Sequence, residues 1–256
     1  MIQLSVITVC YNSADVLVDT LRSVSEQDYP EVEHLIVDGA SQDNTRAVIR
    51  QAGQHVTQVV SEPDAGLYDA MNKGLRMARG DFVGFLNAGD VYLDHRVLSD
   101  IAQTAAKKEN DFVYGDLYMV NAAGELVREW RVGPLSNQHF TQIPHPTLFV
   151  RRILLNEIRP AFDVRYRIAA DLKQQFLLYQ NGAKGLSVGR PLVQMCLGGV
   201  STANPLSYAS GWMESVQAYN DVFGRGGSWY VARKVLSKIA GLNFWWSYIR
   251  TMMPKA

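Results

Sequence analysis

With 256 residues, 47% of them apolar, the chain can bury a sizeable core as one large domain or two small ones, which excludes a disordered tract. Its 25 basic and 25 acidic residues cancel, so no global field draws it to nucleic acid and no nucleic-acid partner is expected. The balance is uneven along the chain: after Asp221 there is no acidic residue, while Arg225, Arg233, Lys234, Lys238, Arg250 and Lys255 follow.

Cys10 and Cys196 each lie in an apolar run without a CxxC or His-rich neighbourhood, and both read as buried free thiols. The start of the chain lacks the basic stretch and small-residue cleavage site of a signal peptide, and no apolar run approaches the ~18 residues of a membrane span. The expectation is a cytoplasmic protein.

Residues 4–9 form a near-continuous apolar run, as in a strand buried on both faces of a parallel sheet. Asn12 and Ser13 can cap a helix that carries Val16, Leu17, Leu21 and Val24 at three- and four-residue spacing. A second strand over 34–37 runs into Asp38-Gly39, and Asp43 and Asn44 can cap a helix over 45–51. A third strand over 56–60 ends at Glu62-Pro63-Asp64, a helix follows over 68–78, and a fourth strand over 81–86 ends in Asn87-Ala88-Gly89-Asp90. This alternation is a doubly wound α/β pattern, in which ligands bind beyond the carboxyl ends of the strands. Tyr11, Asp38, Asp64, Asn87 and Asp90 all follow strand ends.

Past Asp90 the pattern becomes mixed. A helix is predicted over 97–107, a strand over 112–114, and a hairpin joining 117–120 to 126–130 through Asn121-Ala122-Ala123-Gly124. A strand over 147–150, a helix over 169–179 closed by Asn181-Gly182, a strand over 192–197, and two helices over 206–222 and 230–240 complete the reading. No repeat and no Gly-, Pro- or Ser-rich linker separates independent domains.

Several polar residues can carry chemistry. The Asp38 carboxylate can accept bonds from a base N–H or ribose hydroxyls, or serve as a turn cap. Asp64 and Asn72 flank a turn built on Gly66, and Lys73 is either a phosphate partner or a solvated charge. Asp90 follows a buried strand, where a carboxylate can hold Mg²⁺ or Mn²⁺ together with diphosphate oxygens; Asn87 offers a neutral oxygen beside it, and a plain Gly-Asp turn is the alternative. Asp171 opens an amphipathic helix, a place favoured by the helix dipole alone. His145, between Pro144 and Pro146, suits a phosphate or acceptor contact, or a structural role.

In combination these segments resemble a known family. Val6-Ile7-Thr8-Val9-Cys10-Tyr11-Asn12, then Val37-Asp38-Gly39-Ala40-Ser41-Gln42-Asp43-Asn44-Thr45, then residues 62–74 and 80–90 are similar to family 2 glycosyltransferases of the GT-A fold, in particular bacterial enzymes of the colanic-acid and exopolysaccharide type. Sequences like SEPDAGLYDAMNKG, FLNAGD, PHPTLFVRR, a helix starting AAD, and GGVS occur there in the same order, and the likeness covers about residues 2–205. The resemblance implies a GT-A, Rossmann-like architecture: a mixed, mainly parallel sheet flanked by helices, with a domain over 1–205 (nucleotide-sugar half 1–90, acceptor half 91–205) and a helical extension over 206–256. It implies an inverting enzyme that moves a sugar from a nucleoside diphosphate to a hydroxyl of a lipid-linked saccharide in polysaccharide biosynthesis. Carried over by position, Tyr11 and Asp38 hold the base and ribose, and Asp64 and Asn72 shape the nucleotide pocket. Asn87 and Asp90 match the ends of a DxD-like motif with Asp90 as metal ligand to Mg²⁺ or Mn²⁺, and Asp171 matches the catalytic base. Asn87 departs from the Asp of many relatives, which puts metal affinity in question, and there is no QxxRW-type motif of a processive synthase.

In the tail, Val231, Val235 and Ile239 fall on one side of a helix and Arg233, Lys234 and Lys238 on the other, followed by Phe244, Trp245, Trp246 and Tyr248. This suits a membrane surface, or a helix packed on its own domain or on a second subunit. On the first reading, truncation after Gly226 leaves the fold intact. Rival functions are a sugar nucleotidyltransferase, which would carry a Gly-rich basic N-terminal loop, and a non-catalytic nucleotide- or carbohydrate-binding module, which would not need both Asp90 and Asp171. A dehydrogenase is disfavoured because no GxGxxG follows the first strand.

Overall fold

The computed structural model describes residues 1–107, 110–133, 135, 141–196 and 205–236. Its first half is β1 (Leu4–Cys10), α1 (Ala14–Ser25), β2 (Val32–Asp38), α2 (Thr45–Ala52), β3 (Gln58–Ser61), α3 (Leu67–Met77) and β4 (Phe82–Phe85). All seven residues of β1 are buried, because it lies between β2 and β4 and pairs with both in parallel. Alternation along the strand divides its side chains between two cores. Leu4 and Val6 join Phe82, Leu98 and Ile101 on one face, while Ile7 and Val9 join Tyr68, Met71, Leu75 and Phe162 on the other.

The second half adds β5 (Val91–Tyr92), α4 (Val97–Ala105), β6 (Phe112–Val120), β7 (Leu126–Trp130), a single 3₁₀ turn His145–Thr147, β8 (Phe149–Arg151), α5 (Arg152–Glu157), α6 (Ala170–Gln180), β9 (Gly185–Cys196) and α7 (Pro205–Phe223). Residues 227–236 are helical as well. Among the described residues the sheet runs β3-β2-β1-β4-β8-β6-β9-β5, with β7 added to β6. It is parallel through β3, β2, β1 and β4, antiparallel at β8, and parallel again between β6 and β9.

The two strands expected at 112–114 and 117–120 are one strand, irregular around Gly115, where a Cβ would meet the Leu192 side chain at 2.5 Å. β9 begins seven residues before its expected start. Gly189, with φ +83°, and Pro191 interrupt the apolar pattern there, yet the strand still pairs with β6 across a register shift. The expected end of that strand at residue 197, the GGVS segment and everything after residue 236 lie outside the described residues. The expected caps of α1 also differ. Asn12 adopts φ +47° and accepts Gln42 N–H, and Ser13 makes no capping bond. The Asp43 carboxylate accepts Ala14 N–H at 3.1 Å and Thr45 N–H at 2.9 Å, so one residue serves the starts of α1 and α2, and the Asn44 side chain caps neither. Cys10 is buried and its thiol is pushed up to about 12 by that burial, but Cys196 is exposed, contrary to expectation.

The start of the tail is docked. Tyr230, 1% exposed, stacks on Tyr219 of α7 with ring centroids 5.3 Å apart and meets Phe176 of α6 edge-on at 5.2 Å. Among the described residues no helix is long and apolar enough to cross a membrane.

Candidate active site

The loops that leave β1, β2 and β3 meet at Gly39. A Cβ there would stand 2.6 Å from Asp64 Oδ2 and 3.3 Å from the Tyr11 ring, so the absence of a side chain lets the three loops touch. Tyr11 is 59% exposed at this edge. It presents a bare aromatic face, the kind of surface on which a base can stack. The Asp64 Oδ1 atom accepts Gly66 N–H at 2.8 Å, which fixes the turn into α3; Gly66 sits at φ +114°, open to glycine and costly to others.

Asp38 is fully buried at the end of β2. Its carboxylate accepts the Ser61 hydroxyl at 2.6 Å, the Ser41 main-chain N–H at 3.2 Å and the Ser41 hydroxyl. The side chain thus builds the wall of the edge and holds the 39–41 loop. Two of the expected donor-side residues have partners within the chain. Asn72 donates to Phe162 O at 2.7 Å and accepts Phe162 N–H at 3.0 Å, so its amide clamps the loop before α6. Lys73 donates to Pro63 O at 2.6 Å and pairs with Glu62 at 3.1 Å and Asp69 at 3.7 Å. Its ammonium is paired within residues 62–69, an engagement that neither the phosphate contact nor the solvated charge expected from the sequence included.

The turn after β4 is strapped down by main-chain bonds. Ala88 N–H donates to Val9 O at 3.2 Å and Gly89 N–H to Thr20 Oγ1 at 2.9 Å. Within it Asp90 is 6% exposed. Burial pushes its carboxyl up to about 7, with only the Asn87 main chain drawing it back. The Asn87 Oδ1 atom is buried without a hydrogen-bond partner. A carboxylate whose charge burial disfavours, beside an orphaned amide oxygen, is a donor set that a hard divalent cation would relieve. Among the described residues no three His, Cys, Asp or Glu side chains gather as a metal cluster, so substrate oxygens would have to complete such a shell.

An aromatic row connects this turn to the second half of the chain. Phe85 stacks on His145 at 5.3 Å, His145 meets Phe162 edge-on at 5.6 Å, and Phe162 stacks on Tyr68 at 5.8 Å. Both His145 ring nitrogens are buried without partners, and burial lowers the pKa of the ring while the Asp171 charge opposes that shift. Asp171 stands in the first turn of α6. Its Oδ1 accepts the Tyr68 hydroxyl at 3.1 Å, and the same hydroxyl lies 2.7 Å from Ile168 O. From α7, Glu214 accepts the main-chain N–H groups of Arg167, Ile168 and Ala169 at 2.8 to 3.1 Å. Sequence reading did not single out Tyr68, Phe162 or Glu214. Tyr68 lies inside the 62–74 segment as the first residue of a predicted helix, and Glu214 is a mid-helix acid whose partners lie 45 to 47 residues away.

Comparison with known proteins places the chain in a family. A model of the family described as Glycosyl transferase family 2 matches residues 5–151, more than half the chain. A PGL/p-HBAD biosynthesis glycosyltransferase of Mycobacterium bovis is 30% identical over 183 residues, 70% of this chain and 70% of that protein. Among solved structures, Staphylococcus aureus TarS 1-349 in complex with UDP-GlcNAc superposes with TM-score 0.64 at 23% identity, over 76% of this chain and 58% of that one. The mannosyltransferase PcManGT from Pyrobaculum calidifontis, in complex with GDP-Man and Mn²⁺, gives 0.67 at 19% identity, over 88% and 65%. The chain therefore spans less than two thirds of those solved chains, and the likeness shows the shared GT-A architecture.

Proposed function

This chain belongs to glycosyl transferase family 2, and on that premise we propose that it transfers a sugar from a nucleoside diphosphate to a hydroxyl of a lipid-linked saccharide, with inversion at the anomeric carbon. The observation that carries the reading is the placement of Asp171. Its carboxylate is held by Tyr68 of α3, the helix that begins at the Asp64 turn, so the donor edge and a candidate base share one wall.

In this reading the exposed Tyr11 ring stacks on the base, Asp64 lines the nucleoside side, and Asp38 keeps the 39–41 loop in place from beneath. His145 contributes unpaired ring nitrogens between the donor turn and Asp171. Asp171 removes the acceptor hydroxyl's proton as that oxygen attacks the anomeric carbon; the bond to the diphosphate breaks and its electron pair leaves with the phosphate. A single displacement needs one base and inverts the centre. Asp90, with Asn87, would hold Mg²⁺ or Mn²⁺ together with the donor's phosphate oxygens. When bound, such an ion supplies positive charge to the departing diphosphate.

A lipid-linked acceptor places the enzyme at a membrane face, and we include peripheral attachment on the cytoplasmic side in the proposal. Trp212, Met213, Trp229 and Leu236 are exposed by 46%, 66%, 64% and 59%, which supports it. The whole reading is tested by offering UDP-, GDP-, dTDP- and CMP-sugars with membrane acceptors, with and without Mn²⁺, to wild type and Asp171→Asn. The variant should bind donor and lose transfer by a factor on the order of 10²–10⁴. Full activity of the variant would remove Asp171 as the base, and no transfer from any donor would remove the activity.

A further inference from the structure

The Tyr68 hydroxyl carries one proton and faces two acceptors, Ile168 O at 2.7 Å and Asp171 Oδ1 at 3.1 Å. The residue is 6% exposed and its ring is fixed by stacking on Phe162 with planes 15° apart, so the hydroxyl has little freedom beyond rotation of its own proton. It reaches Asp171 from a distant part of the chain, the first turn of α3. The Ile168 peptide is held from both sides, its carbonyl by Tyr68 and its N–H by Glu214 at 2.8 Å.

We infer that Tyr68 is the positioning residue of Asp171: its hydroxyl fixes the rotation of the carboxylate through Oδ1 and leaves Oδ2 to take the acceptor's proton. This rests on the reading of Asp171 as the base. While the base is ionised, the Tyr68 proton serves Oδ1. Once Asp171 has accepted the acceptor's proton, the Tyr68 proton turns to Ile168 O, and no buried donor is left without a partner in either state. Tyr68 stands four residues after Asp64, so the donor turn and the base are linked through one side chain.

The test uses the full chain and whichever sugar nucleotide of the UDP-, GDP-, dTDP- and CMP-sugar panel wild type turns over fastest, reading release of the nucleotide. In Tyr68→Phe, kcat should fall on the order of 10-fold while KM for the donor stays within about 2-fold. The thermal midpoint reports folding separately. Asp171→Asn and Asp171→Asn/Tyr68→Phe should be equally slow, since the hydroxyl acts only through the carboxylate. An unchanged kcat in Tyr68→Phe, with Asp171→Asn inactive, overturns the inference alone. A raised donor KM at unchanged kcat also overturns it, making Tyr68 part of the donor turn. Full activity in Asp171→Asn overturns the base reading and this inference with it.

Discussion

Tyr68 Oη lies 3.1 Å from Asp171 Oδ1 across 103 residues of chain, and this pair joins the two halves of the molecule. The doubly wound half delivers Tyr68 because Ile7, Val9 and Met71 bury α3 against β1. The mixed half delivers Asp171 because Glu214, Phe162 and Asn72 tie the approach to α6 into place. The site is therefore a product of long-range contacts laid over a locally specified sheet.

Glu214 is expected to matter more than its surface position suggests. Replacing it by Ala leaves the N–H groups of Arg167, Ile168 and Ala169 without their shared charged acceptor, which should cost about 2 kcal/mol in unfolding free energy. Glu214→Gln, which keeps one carbonyl oxygen, should lose roughly half of that. Urea titration of the three proteins checks the order; equal midpoints would show that water replaces the carboxylate at no cost.

Asn72→Ala should be among the more damaging single changes in the chain. It strands both the N–H and the carbonyl of Phe162, a fully buried residue, and should cost about 3 kcal/mol. Donor affinity of the folded fraction should change little, because the amide is spent on Phe162. A loss of nucleotide binding without a loss of stability would restore Asn72 to the donor pocket.

The sheet was legible in the sequence where periodicity and burial agree. β1 is buried throughout and apolar but for Ser5 and Thr8 because both its faces are covered, and α1, α3 and α6 repeat at helical spacing. β9 was legible only from Leu192 onward, since Gly189 and Pro191 read locally as breakers while pairing with β6 overrides them. Tyr11, Asp38, Asp64, Asn87 and Asp90 do close or follow strands β1 to β4 as the sequence placed them, but the partners of the side chains behind them were not legible. Lys73 and Asn72 carry the residue types of ligand contacts, and only the fold shows that Glu62, Asp69 and Phe162 have already engaged them. Glu214 as an acceptor for the turn before α6 depends on helix docking, which no local pattern encodes.

Asp90→Ala should abolish any metal-dependent part of donor binding. Calorimetric titration with UDP-GlcNAc and GDP-mannose, each with EDTA or with Mn²⁺, measures it: wild type should gain affinity with Mn²⁺ and the variant should not. Asn87→Ala, which removes a neutral oxygen only, should weaken the gain by less than Asp90→Ala. Equal affinities at every Mn²⁺ concentration would reject Asp90 as a ligand.

His34 gives the fold a pH dependence far from the site. Its ring lies 2.9 Å from Thr8 Oγ1 and 3.0 Å from the His55 ring, and burial lowers its pKa from 6.5 to about 3, with His55 adding to the shift. The unfolded chain therefore binds a proton below pH 6.5 that the folded chain refuses until about pH 3. Above pH 6.5 the ring is neutral in both states and contributes no slope. Below it, wild type should lose about 1.4 kcal/mol per pH unit relative to His34→Gln. The variant should be the less stable protein at pH 7.5 and should gain on wild type steadily as pH falls. Urea midpoints of both proteins from pH 8 to pH 4 decide it, and parallel curves would refute the assignment.

The docking of Tyr230 changes what is expected of truncation after Gly226. Truncation after Gly226 removes Tyr230, which is 1% exposed and packs on Phe176 and Tyr219, so it should destabilise the domain by about 3–5 kcal/mol, as loss of a large buried aromatic does. Tyr230→Ala should reproduce most of that loss by itself. Trp229→Ala, by contrast, removes a ring that is 64% exposed and should leave the urea midpoint within about 0.5 kcal/mol of wild type. If the exposed aromatic belongs to a membrane face, the same variant should show weaker co-sedimentation with vesicles of anionic phospholipid, and the defect should persist when salt is raised, since it removes apolar rather than charged contact. Unchanged sedimentation of Trp229→Ala would take Trp229 out of the membrane face, while an unchanged midpoint in Tyr230→Ala would show that the docked helix is not part of the folded core.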